Sequence, residues 1–464
     1  MKHSTSHTWA HDELCHADLG DGRRNQRLSR LVADLAAHPD QPVPVACGSW
    51  AATKAAYRFW DNDAVKPDDI LAAHTRRTRD RLPADGQLIL AIQDTALLDY
   101  SHHPATRDLG YLSDLAQRGL LVHSTLAVGP GGVPLGLLGQ HVWARPDEEF
   151  GKRKQRAHKD TAQKESQRWL DSLTRTEAAL PEGQAVLTVA DREADFYDLF
   201  AAPRRPGHDL LIRAKSRRRI RDEAGLLLAG ITARPARGRL KVHIPRANGR
   251  PGRTAVLTLR YGRFTIEPPS SGPRHGPRRG LRLTVVLARE ENPPPDTTPV
   301  RWLLLSTLPV RCRADAVRLV RSYALRWLIE RFNYAFKAGC QVEQLQLETG
   351  QRLRRALATY TVVAWRLLWL TYAARQDAEA GCDVALQPEE WQVLQRHAGQ
   401  QPTAGPPSLG EAVGLVARLG GFLGRKGDGV PGVRVIWRGL RRLGDLVAGY
   451  RLAEKQADPP ESYG

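Results

Sequence analysis

Cysteine is scarce in this chain of 464 residues, which has only Cys15, Cys47, Cys312, Cys340 and Cys382 and no C-x-x-C pair among them. That spacing excludes a disulfide framework and a thiolate zinc site, and it fits a reducing compartment. Long apolar runs are also lacking. The most apolar stretch, residues 361–374, is interrupted by Arg366 and is too short to span a bilayer. The first seven residues, MKHSTSH, carry no apolar h-region of the signal-peptide kind. A cytoplasmic protein without a membrane partner is the expectation. No internal repeat is apparent. A hydrophobic share of 41% argues against general disorder, and at roughly 100–200 residues per domain the length allows two to four folded domains.

Acidic residues are in deficit. There are 50 Asp and Glu against 69 Lys and Arg, a formal charge of +19. Residues 201–290 alone hold 22 basic and 5 acidic residues, a local balance of +17. A polyanion lying on such a surface would release counterions, so binding should be strong and steeply salt-dependent. An ordinary solvated face in an Arg-rich protein explains the count as well.

The first 80 residues read as helical, with apolar positions at helical spacing over 28–35 and 51–60. Strand-like runs follow at 88–94, 121–128 and 133–142, the last two joined by Gly129-Pro130-Gly131-Gly132, which predicts a hairpin. A helix over 161–180, a buried strand over 185–191 and a helix from 193 to 200 continue in α/β order. Residues 216–310 switch to alternating and β-branched runs broken by Pro/Gly-rich loops, a β-rich insertion. From 314 the pattern is helical: one long helix to about 338, another over 351–374, then shorter ones.

Asp94 and Asp191 each close a short apolar run, the pattern of a buried strand whose last residue emerges at the carboxyl end of a sheet, where α/β folds place their sites. Two such carboxylates side by side repel one another and call for a cation. A capping role explains either one alone equally well. Further on, Tyr323, Arg326, Glu330 and Lys337 lie at offsets of 0, 3, 7 and 14, which confines them to a sector of roughly 60° on a regular helix. Taken alone, Arg326 and Glu330 form a plain i,i+4 pair. Two Asp and one Glu suffice as oxygen ligands for a pair of Mg²⁺ ions, and a cationic face beside them could hold phosphates, the arrangement of a metal-dependent phosphodiester enzyme.

Asp191-Arg192-Glu193-Ala194-Asp195, together with the Y-x2-R-x3-E-x6-K spacing from Tyr323 to Lys337, resembles the bacterial DDE transposases of the insertion-sequence-four family, transposon-five type. The likeness extends over Leu19-Gly20-Asp21, Ala56-Tyr57-Arg58-Phe59, Asp94-Thr95, Val122-His123-Ser124, Lys164-Glu165-Ser166 with Trp169, Arg213-Ala214-Lys215, Trp302-Leu303-Leu304-Leu305 and Arg418-Leu419-Gly420-Gly421-Phe422. Leu120-Leu121 stands where better-known members have a Trp pair.

The resemblance implies an α/β protein with an RNase H-like catalytic core (81–215 and 311–374) interrupted by the basic β-rich insertion (216–310). A helical end-recognition domain (1–80) and a helical dimerisation domain (375–464) would flank it. Asp94, Asp191 and Glu330 would bind two Mg²⁺ ions, with Mn²⁺ as a substitute. Tyr323, Arg326 and Lys337 would grip the phosphate of a flipped base stacked on Trp302, Arg213 and Lys215 would contact DNA nearby, and Arg23, Arg24 and Arg27 would belong to end recognition. The implied activity is cut-and-paste transposition by nicking, hairpin formation, hairpin opening and strand transfer. Its partners would be transposon-end inverted repeats, target DNA and a second copy of the chain in the synaptic complex, in a bacterial protein associated with the nucleoid when bound to DNA. The competing functions are an RNase H-like endonuclease without strand transfer and an inactive DNA-binding inhibitor of transposition.

Overall fold

The computed structural model describes residues 8–152, 155, 159–244, 252–269, 279–425 and 428–457. Five helices open the chain: α1 (Thr8–Glu13), α2 (Gly22–Ala37), α3 (Val43–Cys47), α4 (Trp50–Asp61) and α5 (Pro67–Asp80). Their starts follow from local chemistry. Asp21 and Ser49 accept the orphan N–H groups of Arg23 and Ala52, and α3 and α5 carry Pro in the first turn. The buried stripe Leu28, Leu31, Val32 and Leu35 of α2 has the expected helical period.

Next come β1 (Ile89–Asp99), β2 (Gly110–Tyr111), β3 (Arg118–Val128) and β4 (Pro134–Trp143). The predicted hairpin of β3 and β4 is present, and Gly131 and Gly132 adopt the φ values of 73° and 84° that its turn needs. Then follow α6 (Gln167–Ala179), β5 (Val186–Ala190), α7 (Tyr197–Ala201), β6 (His208–Arg213), α8 (Leu227–Thr232), β7 (Arg239–Ile244), β8 (Arg253–Ile266), β9 (Leu281–Glu290) and β10 (Arg301–Ser306). All ten strands share one sheet, in the order β2-β3-β1-β5-β6-β10-β9-β8-β7, with β4 on β3. β1, β5 and β6 run parallel. The β-rich segment is therefore no separate layer: β10 returns antiparallel to β6, so β7–β10 extend the same sheet.

One expectation is corrected here. Asp94 does not end its strand, because β1 outruns its parallel neighbour by several residues while β3 pairs with it as far as Asp99.

The chain ends in α9 (Arg313–Ala324), α10 (Trp327–Tyr334), α11 (Gly350–Gln376), α12 (Pro388–His397), α13 (Leu409–Leu419) and α14 (Val433–Ala457). α11 is buried on nearly every side, as an axle between layers must be. Thr359 accepts from the Trp60 indole (3.2 Å), Arg355 donates to the Trp60 and Val65 carbonyls (2.9 Å each), and the Trp365 indole donates to the Pro134 carbonyl (3.0 Å). Arg366, the interruption in the apolar stretch, lies over the ring of Trp9 and donates to the Ala385 carbonyl. Among the described residues no helix is long and apolar enough to cross a membrane. α13 and α14 meet closely at Gly439, where a Cβ would lie 1.9 Å from the Val416 carbonyl oxygen.

The outer edge of β4 is closed by side chains. Arg81 and Thr75 donate to the Leu135 and Leu137 carbonyls, while the Leu137 N–H donates to His74 Nε2. The His74 proton must then sit on Nδ1, where it meets Glu13, which also takes both ends of the Arg81 guanidinium. This buried trio ties α1 to the sheet edge. Glu13→Ala would strand the Arg81 cation and leave the buried His74 Nδ1–H without its acceptor, and we expect a loss of about 3–5 kcal/mol in chemical denaturation; a change under about 1 kcal/mol would show that the trio does not hold the layers together.

Candidate catalytic and DNA-binding site

Strand register assembles the site. In the parallel pair, Ile92 of β1 faces Val189 of β5, an offset of 97 residues. Carried two residues on, the same offset sets Asp94 beside Asp191, which directly follows β5 and accepts the Glu193 N–H on its Oδ1 (2.8 Å). α10 packs against β1; from it the Asn333 amide donates to Asp94 Oδ2 (3.1 Å), and one turn earlier Glu330 pairs with Arg326. The three acids separated in sequence thus lie within electrostatic range of one another. Burial pushes the Asp94 carboxyl up to about 7; the Arg326 cation opposes the rise, while the Asp191 and Glu330 charges add to it.

The trio is not closed into a ligand set. Among the described residues no three His, Cys, Asp or Glu side chains stand close enough to hold an ion. The reason is local: Glu330 is drawn to the Arg326 guanidinium and Asp94 to Asn333.

The signature residues do not share one straight helix face, because the expected long helix is broken twice. At Leu325 and Arg326 the backbone tightens to i→i−3 hydrogen bonds between α9 and α10, and at Ala335–Gly339 it widens into a π turn, a local feature frequent at functional sites. Tyr323 is buried, its hydroxyl without a well-formed hydrogen bond, in the field of Arg326, Arg213 and Asp191. Lys337 reaches the Leu97 carbonyl (2.8 Å) and Glu343 (3.1 Å). It therefore sits three residues along β1 from Asp94, about 10 Å at 3.4 Å per residue.

Trp302, in β10, is half-buried and lies edge-on to Tyr323, with ring centroids 5.3 Å apart. Arg213 ends β6 and donates to the Arg301 carbonyl, while Lys215 is exposed and its ammonium donates to the Asp195 carbonyl. Arg23, Arg24 and Arg27 stand elsewhere, on the first turns of α2. Arg23 is 92% exposed, Arg24 donates to the Leu19 carbonyl and Arg27 is half-buried.

Sequence reading assigned no site role to Arg192, Arg301 or Asn333. Arg192 and Arg301 line, together with Lys215, which the sequence does single out, a pocket of about 210 Å³ that also includes Ala214, Leu228 and Leu303. Arg192 directly follows Asp191, which was a usable signal; Arg301 was not legible, because only the β10–β6 pairing brings it there. Asn333, one helical turn after Glu330, could have been found by spacing. The larger cavities lie away from the acids, one of about 720 Å³ lined by Trp9, Trp365, Trp369 and Trp391 and one of about 650 Å³ between α12, α13 and α14. A polymer bound along a surface needs no enclosed cavity.

The raised Asp94 carboxyl has a consequence for stability. Between about pH 4 and 7 the unfolded chain carries this group ionised while the folded protein keeps the proton, so stability falls as pH rises through that window and stays low above it. Asp94→Asn, melted in a chelator, should gain about 2 °C or more at pH 8 and clearly less at pH 5. Equal gains at both pH values would show that the carboxylate is not perturbed.

Residues 6–65, covering α1 to α4, match the family model described as Transposase DNA-binding. Residues 362–459 match that of the Transposase Tn5 dimerisation domain, which begins inside α11, ahead of residue 375 where the sequence suggested a boundary. With a match to a transposase DNA-binding module at one end and to the Tn5 dimerisation module at the other, the two ends of the chain support a transposase of the Tn5 type.

Proposed function

We propose that this transposase moves its element by cut-and-paste, and that one RNase H-like site built on Asp94, Asp191 and Glu330 performs nicking, hairpin formation, hairpin opening and strand transfer. The observation that carries this reading is the register that sets two carboxylates abreast on parallel strands, with a third presented by α10. Like charges gathered in a half-buried site are costly, and burial, with the Asp191 and Glu330 charges adding to it, makes ionised Asp94 unfavourable, a cost that a bound cation would offset. An all-oxygen donor set suits a hard cation. Mg²⁺, or Mn²⁺ in its place, held by these three residues would supply charge for the attacking and leaving oxygens of phosphodiester displacement.

The protein's own groups do the positioning. Arg326 is occupied by Glu330 in the free protein; were Glu330 to hold a cation, the guanidinium would be free for a DNA phosphate, which it could grip in two-pronged fashion. Tyr323, beside Trp302, and Lys337, beside β1, extend that grip on two sides, and Trp302 offers a ring to an extruded base. Arg192, Arg213, Lys215 and Arg301 line the approach and contact phosphates without reading sequence. Arg23, Arg24 and Arg27, inside the matched DNA-binding segment, serve recognition of the terminal inverted repeat, and the C-terminal helices join two copies in the synaptic complex.

The test uses the full chain and a duplex carrying the inverted repeat that flanks its gene. Asp94→Ala, Asp191→Ala and Glu330→Ala should each lower Mg²⁺-dependent cleavage by about 10³-fold or more while end binding by gel shift persists. Cleavage surviving any one change removes that residue from the site. Cleaved ends that never join a target plasmid would favour the endonuclease, and binding without any cleavage by the parent protein would favour the inhibitor.

Arg326→Ala and Lys337→Ala should slow hairpin formation more than the first nick, resolved on denaturing gels. Equal losses at both steps would count against a grip on an extruded nucleotide.

A further inference from the structure

Arg168, on the first turn of α6, is placed to control the geometry of both aspartates without touching either. Its side chain is 11% exposed and lies near the rings of Trp143 and Trp169, 5.6 and 5.4 Å from their centroids. All three guanidinium nitrogens are engaged. Nε donates to Thr95 Oγ1 (3.1 Å), one terminal nitrogen donates to the Glu165 carbonyl (2.8 Å), and the other to Glu193 Oε2 (2.7 Å).

Two of these contacts lead directly to the acids. Thr95 follows Asp94 and gives that carboxylate a backbone hydrogen bond; its hydroxyl is also held by His123 Nδ1 (2.9 Å), a ring packed edge-on against Trp169. Glu193 supplies the N–H that holds Asp191 Oδ1. One planar cation therefore spans the segments bearing both aspartates, across the end of a sheet where β1 and β5 are no longer hydrogen-bonded to each other.

We propose that Arg168 is a positioning residue that fixes the Asp94–Asp191 spacing for the divalent ions, by bracing Thr95 on one side and Glu193 on the other. The proposal rests on the metal-binding reading given above. Arg is required because a single ammonium cannot donate along three fixed directions in one plane. A purely structural role, clamping α6 to the sheet, would alter thermal stability alone; a positioning role alters metal affinity.

The full-length protein without DNA separates these outcomes, with MgCl₂ as the only ligand and melting temperature as the readout. Arg168→Ala should raise the Mg²⁺ concentration for half-maximal stabilisation by about tenfold or more, as loss of a supporting contact behind metal ligands does. Arg168→Lys should fall between that variant and the parent. Thr95→Val and Glu193→Ala, each removing one arm, should each shift the midpoint in the same direction, and they decide the matter should Arg168→Ala fail to fold. Midpoints equal to the parent's in Thr95→Val and Glu193→Ala, or in Arg168→Ala where it melts cooperatively, would overturn the positioning role. A parent with no Mg²⁺ response, or an Asp94→Asn variant that titrates like the parent, would instead overturn the metal reading itself, and the role of Arg168 with it.

Discussion

Two like charges held side by side in a half-buried sheet repel one another, and the pairing of β1 with β5 imposes this on Asp94 and Asp191. The surroundings are arranged around that cost. β1 cannot swing away, because β3 pairs with it along its whole length, and Asp191 is held by the Glu193 N–H just after its strand ends. The relief available in the free protein is partial: the proton that Asp94 retains, the amide of Asn333, and the Arg326–Glu330 pair that brings a cation close while neutralising the third acid. Each is reversible, which is what the proposed exchange for ions and phosphates would require.

A site made from strand register and one helix needs a rigid frame, and α11 supplies it. Its buried face receives Trp60 from the N-terminal helices, Trp365 anchors it to the side-chain-covered edge strand β4, and its C-terminal half already belongs to the matched dimerisation segment. The module that matches DNA-binding domains and the module that matches dimerisation domains are thus packed on one helix that also touches the sheet. Movement of either module relative to the carboxylates has to pass through contacts among fully buried aromatic side chains, and tight interiors transmit strain rather than absorb it.

Strands β1, β3, β4 and β5 were legible in the sequence because continuous apolar runs bounded by Gly, Pro or Asp leave few alternatives. The two aspartates were legible for the same reason, as polar residues at the ends of such runs. What could not be read was pairing. Nothing local in residues 81–99 says that β1 continues past Asp94, since that depends on β3 lying alongside, and nothing in residues 239–306 says that four strands of an apparent insertion join the core sheet through β10 and β6. The signature helix failed differently. Its residue spacing fits a regular α-helix, but the tight turn at Leu325 and the π turn at Ala335–Gly339 arise from packing, so Lys337 ends up beside Leu97 rather than beside Glu330.

The charge count also means something different once the fold is known. Much of the excess in residues 201–290 is consumed internally. Arg204 and Arg205 satisfy carbonyls in the last turns of α7 and α6, Arg218, Arg221, Arg253 and Arg260 pair with Asp195, Glu267, Glu290 and Glu291, and Arg234 and Arg237 lie over Phe264 and Tyr261. Guanidinium groups paired in this way contribute little net field. The cations proposed to meet a polyanion are instead Arg192, Lys215 and Arg301 around one pocket, with Arg213 and Arg326 near Tyr323. Only Arg213 and Lys215 fall inside the basic stretch, and the five come from five different elements or loops. A count along the sequence therefore says less about such a surface than strand pairing does, the same pairing that sets the aspartates abreast.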